Sequence, residues 1–234
     1  MQNFNDKVMI RHITNAVPSG NLAVITGDGF DNAKVLMRKL SAGKEEVQAF
    51  LSAGKPAADM NFASGEESEA EIVKNADGHI LTVKTPDGEF SGWQVTVKSE
   101  AGVSAPYNMN VPEIKWLQND MVIAGEELRI FGQCFATPDC FDLSGEEVHG
   151  YGKMLTAGHG VSVFLRDCQE NLHELSVTAA SCYEVRAFVP AGVPCGACTV
   201  YIMNEKSGVP VALETEVFPC GHLDAVKDAS RVFN

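Results

Sequence analysis

The sequence is poor in basic residues and in long apolar runs, and each shortage excludes a class of protein. Only 18 Lys and Arg stand against 31 Asp and Glu, which gives a formal net charge of -13. Affinity for nucleic acid depends on clustered cations that neutralise phosphates, so no nucleic-acid partner is expected. No apolar run approaches the roughly 18 residues of a membrane span, so no membrane partner is expected either.

Cysteine is missing from the first half of the chain, because all seven Cys lie between residues 134 and 220. An odd number without regular spacing is not a disulfide framework, and a reducing compartment is the simpler interpretation. The first 20 residues also lack the basic and apolar regions of a signal peptide. The chain as written therefore predicts a cytoplasmic protein, whereas a fragment of a longer exported protein would be extracellular.

What the sequence does contain is a series of short apolar, β-branched runs between Gly, Pro, Asn and Asp, such as NLAVITG at 21–27. This pattern is typical of an all-β fold. One short helix is predicted at 43–54, where Val47, Phe50 and Leu51 share a face. The 234 residues are enough for two domains of roughly 100 residues each.

The chain also contains an internal repeat. Residues 20–30, GNLAVITGDGF, match residues 125–135, GEELRIFGQCF, at a constant shift of 105. The matched pairs are Gly20 with Gly125, Ile25 with Ile130, Gly27 with Gly132, and Phe30 with Phe135. A second match joins 85–97 to 189–202. Glycine at matched strand ends predicts positive φ or two backbones in close approach, and the two Phe are predicted to fill the core.

At these positions the sequence resembles the IPT/TIG family of immunoglobulin-like β-sandwiches. The family has a Pro-x-Ile opening strand, then Gly-x-x-Leu-x-Ile-x-Gly-x-x-Phe, and later a Pro-x-Gly turn. The second copy matches at Pro112, Ile114, Gly125, Leu128, Ile130, Gly132, Phe135, Pro190, Gly192, Gly196, Val200 and Ile202. The first copy is more degenerate, with Ala23 where Leu is usual.

The resemblance implies an all-β protein of two tandem immunoglobulin-like (IPT/TIG-type) β-sandwiches. The first domain is expected at 1–111 and the second at 112–222, with a long insertion at 136–160 and a tail at 223–234. No Gly/Ser-rich linker lies between them, so a packed or stiff junction is predicted, and Pro112 helps to fix its direction.

A second resemblance concerns the setting of the chain. Residues 112–135 are similar to a segment found ahead of right-handed β-helix domains of the pectate lyase and polygalacturonase type, and RVFN at 231–234 is similar to the start of such a domain. This implies a non-catalytic accessory module of a bacterial glycoside hydrolase or polysaccharide lyase-like protein. Its role would be that of a spacer, a stabiliser or a weak glycan binder. The implied partners are a polysaccharide and a C-terminal β-helix domain.

Two other functions remain open. A protein-interaction or assembly module, unrelated to carbohydrate, would use strand addition or sandwich pairing. A stand-alone hydrolase is disfavoured, because no set of nucleophile, base or metal ligands is recognisable. No phosphate-binding or dinucleotide fingerprint is present, so no cofactor is expected.

The Cys-x-x-Cys spacing at Cys195 and Cys198 raises a choice between a metal or redox site and a strand. The repeat places Cys198 at the position of Trp93, on the inward face of a strand, where a thiol behaves as a small hydrophobe. Cys195 falls in the preceding turn. A zinc site is the alternative, with the ligands Cys195, Cys198, Cys220 and His222.

Two further groups of residues are candidates for ligand binding. The insertion at 136–160 carries polar side chains suited to a sugar or a cation, although a decorative surface loop is the simpler interpretation. The ligand-binding candidates in it are Asp142, His149, Tyr151 and His159. Trp93 and Trp116 are stacking candidates, but alternation with neighbouring apolar residues predicts that both are core residues.

Overall fold

The structure is a computed structural model that describes residues 8–55, 62–136, 155–156 and 160–221. Within these ranges the chain is all-β with one α-helix, as the sequence predicts. In the first half, residues 8–111, the strands are β1 (Met9–Ile13), β2 (Leu22–Asp28), β3 (Lys34–Leu40), β4 (Ser68–Ala70), β5 (Ile72–Ala76), β6 (Ile80–Lys84), β7 (Gly92–Ser99), β8 (Gly102–Val103) and β9 (Tyr107–Met109). The helix α1 (Lys44–Ser52) follows β3.

The second half, residues 112–221, contains the remaining strands and a 3₁₀ turn at Gln118–Asp120. The strands are β10 (Glu113–Leu117), β11 (Val122–Ile123), β12 (Glu127–Gln133), β13 (Leu155–Thr156), β14 (Val161–Arg166), β15 (Leu172–Ala180), β16 (Glu184–Phe188), β17 (Gly196–Asn204) and β18 (Pro210–Phe218). No helix in the described ranges has the length and apolar character needed to cross a bilayer.

The first half is a sandwich of two antiparallel sheets. One has the order β1-β2-β6-β5, and the other has β4-β3-β7-β8, with β9 also paired to β7. This is the strand arrangement of the immunoglobulin fold. Residues on β2 alternate between exposed and buried, so that Ala23 and Ile25 enter the core while Leu22 and Val24 face outward.

The second half repeats this plan but joins its two layers through one strand. The order is β10-β12-β16-β15-β14-β17-β18-β11, with β13 beside β15. The nine-residue β15 pairs with β14 near its start and with β16 near its end. The short β11 runs parallel to β18 and closes the far edge.

The two halves share an irregularity in their opening strands. The pairing of β1 with β2 shifts register between Ile10 and His12, and the pairing of β10 with β12 shifts between Ile114 and Trp116. Each shift is a β-bulge, which leaves one residue of the opening strand unpaired. The internal repeat therefore extends to backbone detail.

The matched glycines Gly27 and Gly132 occupy identical environments. A Cβ added at either would lie 1.9 Å from the carbonyl oxygen of the opening strand, at Met9 in the first half and Glu113 in the second. This confirms the close backbone approach predicted from the repeat. Phe30 and Phe135 are confirmed as core residues, since both are 0% exposed.

A third hydrophobic cluster lies between the halves and is built around α1. Val47 and Leu51 are fully buried there, against Phe164, Tyr201 and Met203 of the second half. Burial of each such side chain contributes roughly 1.5–3 kcal/mol.

This cluster explains why five consecutive residues of β17, 200–204, are buried. Val200 and Ile202 face the core of the second half, while Tyr201 and Met203 face the junction. Phe50 departs from the prediction that it shares the buried face of α1. It is only half-buried, and the Lys55 ammonium lies 5.3 Å from its ring centre.

Backbone contact makes the junction tight. Gly208 has φ +65, and an added Cβ would lie 2.3 Å from the amide nitrogen of Ala42. A Cβ added at Gly92 would lie 2.9 Å from the Cβ of Ser207. The packed junction predicted from the missing linker is present, and glycine is what lets the two backbones meet.

Candidate functional site

The four candidates in the 136–160 insertion cannot be placed. Asp142, His149, Tyr151 and His159 lie outside the described residues.

The Cys-x-x-Cys pair divides between strand and turn. Cys198 lies on β17, is 6% exposed and belongs to the core of the second half. Burial raises the pKa of its thiol to about 12, which keeps it protonated and unreactive. Cys195 is exposed. The strand register predicted for Cys198 is confirmed.

The alternative zinc set is not brought together by its described members. Over the part of the chain that the structure describes, no three His, Cys, Asp or Glu side chains are grouped so as to hold a metal ion. Cys195, Cys198 and Cys220 all belong to the described residues, whereas His222 lies outside them.

A buried carboxylate organises the turn between β14 and β15. Asp167 accepts hydrogen bonds from the backbone amides of Gln169 (2.8 Å) and Asn171 (3.0 Å), and lies 2.8 Å from His173 Nε2. Burial alone would raise the pKa of Asp167, but hydrogen bonds from His173, Asn171 and Gln169 lower it to about 2. This carboxylate is fully occupied in holding the turn.

Trp116 is the residue whose position differs most from the sequence prediction. It is 53% exposed and not a core residue. Its ring is stacked on that of Phe131, its partner across the β10–β12 pair, with centroids 5.4 Å apart and planes inclined by 19°. Trp116 and Phe131 form an outward-facing pair that we call the aromatic platform.

The β-bulge in β10 is the cause of this difference. Simple alternation puts Trp116 on the same face as Ile114, which packs against the core. The bulge inserts Lys115 between them, so Trp116 turns outward while Leu117 is buried. Trp93, the other Trp, is half-buried and packs against the core of the first half.

Ion-paired side chains flank the aromatic platform. The Arg129 guanidinium lies 5.3 Å from the Phe131 ring centre and donates a 2.7 Å hydrogen bond to Glu184. Arg186 donates a second bond, of 2.9 Å, to the same Glu184 oxygen. Burial would raise the pKa of Glu184, yet these two partners lower it, so the carboxylate stays ionised.

A cleft opens at the junction beside the platform, and sequence reasoning did not find it. Its volume is about 390 Å³, and its polar lining comes from both halves. The polar residues that define this junction cleft are His12, Asn15, Tyr107, Asn108, Glu113, Lys115 and Gln133. Glu113 receives hydrogen bonds from Lys115 and Gln133, which lower its pKa.

The cleft and the platform lie on one face. Glu113 pairs with Gln133 across the same two strands on which Trp116 pairs with Phe131. Adjacent outward positions along a strand are separated by about 7 Å. The junction cleft and the aromatic platform therefore adjoin each other along β10 and β12. The cleft residues are far apart in sequence, and no local sequence pattern indicates their proximity.

Neither a scan against protein-family models nor a search of curated proteins gives a match for this chain. Solved structures with some likeness include one with a xylogluco-oligosaccharide: 12% identity, TM-score 0.39, covering 91% of this chain and 40% of that one. Another is SGBP-B from a xyloglucan utilization locus of Bacteroides uniformis: 15% identity, TM-score 0.29, covering 90% and 49%. A chimeric titin Z1Z2 tandem has 9% identity and TM-score 0.33, covering 91% and 99%.

This chain thus spans less than half the length of the two glycan-related structures. With TM-scores below 0.5, none of these likenesses indicates a function.

Proposed function

We propose that the chain is a non-catalytic accessory module that binds a polysaccharide through the outer face of its second half. The observation that supports this most directly is the aromatic platform. Trp116 holds a large, half-exposed ring in a fixed orientation, because Phe131 stacks beneath it. A fixed aromatic face adjoining hydrogen-bonding groups suits a sugar ring, whose faces are apolar and whose edges are polar.

The proposal includes the finer expectations from the sequence. Two immunoglobulin-like domains of the IPT/TIG type, at 1–111 and 112–222, would form a stiff spacer beside a glycoside hydrolase or polysaccharide lyase-like domain of a bacterial protein. The packed junction around α1 supports the stiffness of such a spacer. A polysaccharide ligand places this module outside the cell, as part of a longer exported protein.

A glycan array with plant and microbial polysaccharides, followed by isothermal titration calorimetry, tests the binding role. Trp116→Ala should weaken the affinity for a hit by about tenfold or more, because it removes the stacking surface. Phe188→Ala is the matched control. It is an exposed aromatic residue on the same sheet, four positions along β16 from Glu184, and should leave binding unchanged. Absence of any hit, or equal losses in both variants, would contradict the proposal.

A protein-interaction role is the second candidate, and the first half favours it. Leu22, Val24 and Ile80 are exposed on the outer face of β2 and β6, where they form an apolar patch. Exposed apolar patches commonly mark interaction surfaces. Size-exclusion chromatography with light scattering separates the two candidates. If the wild-type protein is a dimer and Val24→Glu is a monomer, the assembly role is favoured. If the wild-type protein is a monomer at all concentrations, glycan binding alone is favoured.

A further inference from the structure

The junction cleft has features that the aromatic platform lacks. It is concave and receives side chains from both halves, His12 and Asn15 from the first and Glu113 and Gln133 from the second. At about 390 Å³ it falls within the size range of small-molecule sites. A linear ligand resting on Trp116 would reach it by following β10 toward the junction.

Asn15 is anchored in the wall of the cleft. Its side-chain amide donates a 2.9 Å hydrogen bond to the carbonyl oxygen of Val111, which fixes the side chain. Its Oδ1 atom is buried and has no hydrogen-bond partner among the described residues. Because that atom is shielded, the hydrogen bonds offered to a ligand come from accessible groups of the lining, such as Asn108 and Glu113.

The charges around this surface select against an anionic ligand. Three cations beside the platform are matched by three carboxylates: Lys115 pairs with Glu113, Arg129 and Arg186 share Glu184, and Glu127 also attracts Arg129. The net charge of -13 adds a general repulsion of polyanions. A carboxylate-bearing sugar is bound most strongly by a cation without a carboxylate partner, ideally Arg, whereas each of these three already has one.

Building on the glycan-binding role proposed above, we infer that the junction cleft and the aromatic platform form one continuous site for an uncharged, linear polysaccharide. The platform stacks one sugar ring, and the cleft receives the next units of the same chain through hydroxyl hydrogen bonds. Both halves thus contact one ligand, and the packed junction holds the two subsites in register.

Calorimetry with the full chain tests this inference. The ligands are cellohexaose, xylohexaose, mannohexaose and hexagalacturonate, together with the disaccharides of the neutral series, in about 20 mM and about 200 mM NaCl. We expect a neutral hexasaccharide to bind at least about tenfold more tightly than its disaccharide, because only the longer ligand can stack on Trp116 and also fill the cleft as far as His12 and Asn15 of the first half. Its affinity should change less than about twofold with salt.

Two variants separate the subsites. Asn108 is an exposed residue of the cleft on β9, and Asn108→Trp should fill the cleft. It should bring the hexasaccharide affinity down to that of the disaccharide while leaving disaccharide binding intact. Trp116→Ala should weaken both. Circular dichroism and thermal melts of each variant establish that it is folded.

The alternative outcomes are distinct. Trp116-dependent binding of hexagalacturonate that weakens as salt rises would overturn the uncharged ligand and leave the proposed function standing. Trp116-dependent binding that is indifferent to length and to Asn108→Trp would overturn the role of the cleft alone. No binding of any ligand, in the four-member panel or on the glycan array, would remove the proposed function itself.

Discussion

The two halves share a backbone plan and differ in the face that each presents to solvent. Leu22, Val24 and Ile80 of the first half correspond in strand register to Glu127, Arg129 and Glu184 of the second. The first half thus presents an aliphatic patch where the second half presents charged side chains around an aromatic stack.

The opening strands differ in the same way, since His12 stands where the second half has Trp116. The inward positions, by contrast, remain small or apolar in both. Duplication has therefore kept the residues that the fold requires and changed those that solvent reaches. The outer faces are the places to look for function, and the predictions below test how far the two halves are equivalent.

The largest effect is expected at the matched core residues. Phe30→Ala and Phe135→Ala should each lower the free energy of unfolding by about 3–5 kcal/mol, because each leaves a cavity at a fully buried site. Urea denaturation followed by tryptophan fluorescence measures this. Phe50→Ala on the outer side of α1 is the control and should cost under about 1 kcal/mol. Very unequal losses for Phe30 and Phe135 would show that the halves are not equivalent.

The matched turn glycines should behave differently. Gly102 (φ +133) and Gly208 (φ +65) both have positive φ, so alanine at either introduces backbone strain of about 1–3 kcal/mol. Among the described residues nothing lies within 4 Å of a Cβ added at Gly102, whereas the same atom at Gly208 would lie 2.3 Å from the amide nitrogen of Ala42. Gly208→Ala should therefore be the more destabilising by at least about 1 kcal/mol in thermal melts. Equal effects would mean that the junction yields freely.

The two halves also differ in the connection that follows β3 in the first and β14 in the second. The first half has α1 there, and the second has the turn that Asp167 holds. Asp167→Asn should cost about 1–3 kcal/mol near neutral pH, since hydrogen bonds to the charged carboxylate are lost. With its pKa lowered to about 2 from 3.8, Asp167 contributes stability above about pH 4 that disappears as the pH falls toward 2.

The stability of the wild-type protein should accordingly fall across this acidic range more steeply than that of Asp167→Asn. Parallel curves from urea titrations at several pH values would contradict this assignment.

The smallest effect on stability is expected at Trp116. Trp116→Ala removes a half-exposed ring and should change the free energy of unfolding by under about 1 kcal/mol. Trp93→Ala removes the other tryptophan, which lies in the first half at a different strand position, and should cost more, because Trp93 packs against the core. Differential scanning calorimetry of the two variants decides this. A large loss at Trp116 would give that residue a structural role and weaken its assignment to ligand binding.

The sequence was sufficient to predict the features that repeat. Gly27 and Gly132 each lie against a backbone carbonyl that leaves no room for a side chain. Because the fold requires glycine at both positions, the sequence shows it at both. The interior position of Cys198 followed from the same alignment. The helix at α1 was predicted from Val47 and Leu51, although Phe50 was not buried with them.

The functional surface could not be predicted in the same way. Trp116 was assigned to the core because a single bulged residue, Lys115, reverses strand alternation without any sequence signature of its own. The junction cleft joins His12 to Gln133, and residues so distant in sequence meet only through tertiary packing. In strand register Trp116 corresponds to the exposed, polar His12 of the first half, a further indication that this position faces solvent.

The packing of α1 between the two halves has a mechanical consequence. In a beads-on-a-string protein, tension along the chain is first relieved by straightening the linkers. Here the carbonyl of Leu51 is held by the guanidinium of Arg166, and Lys206 is paired with Glu89 across the same boundary at 3.2 Å. Tension applied to the chain would therefore act directly on the contacts around α1 and on the sheets. The two halves would resist it together until those contacts or a sheet broke.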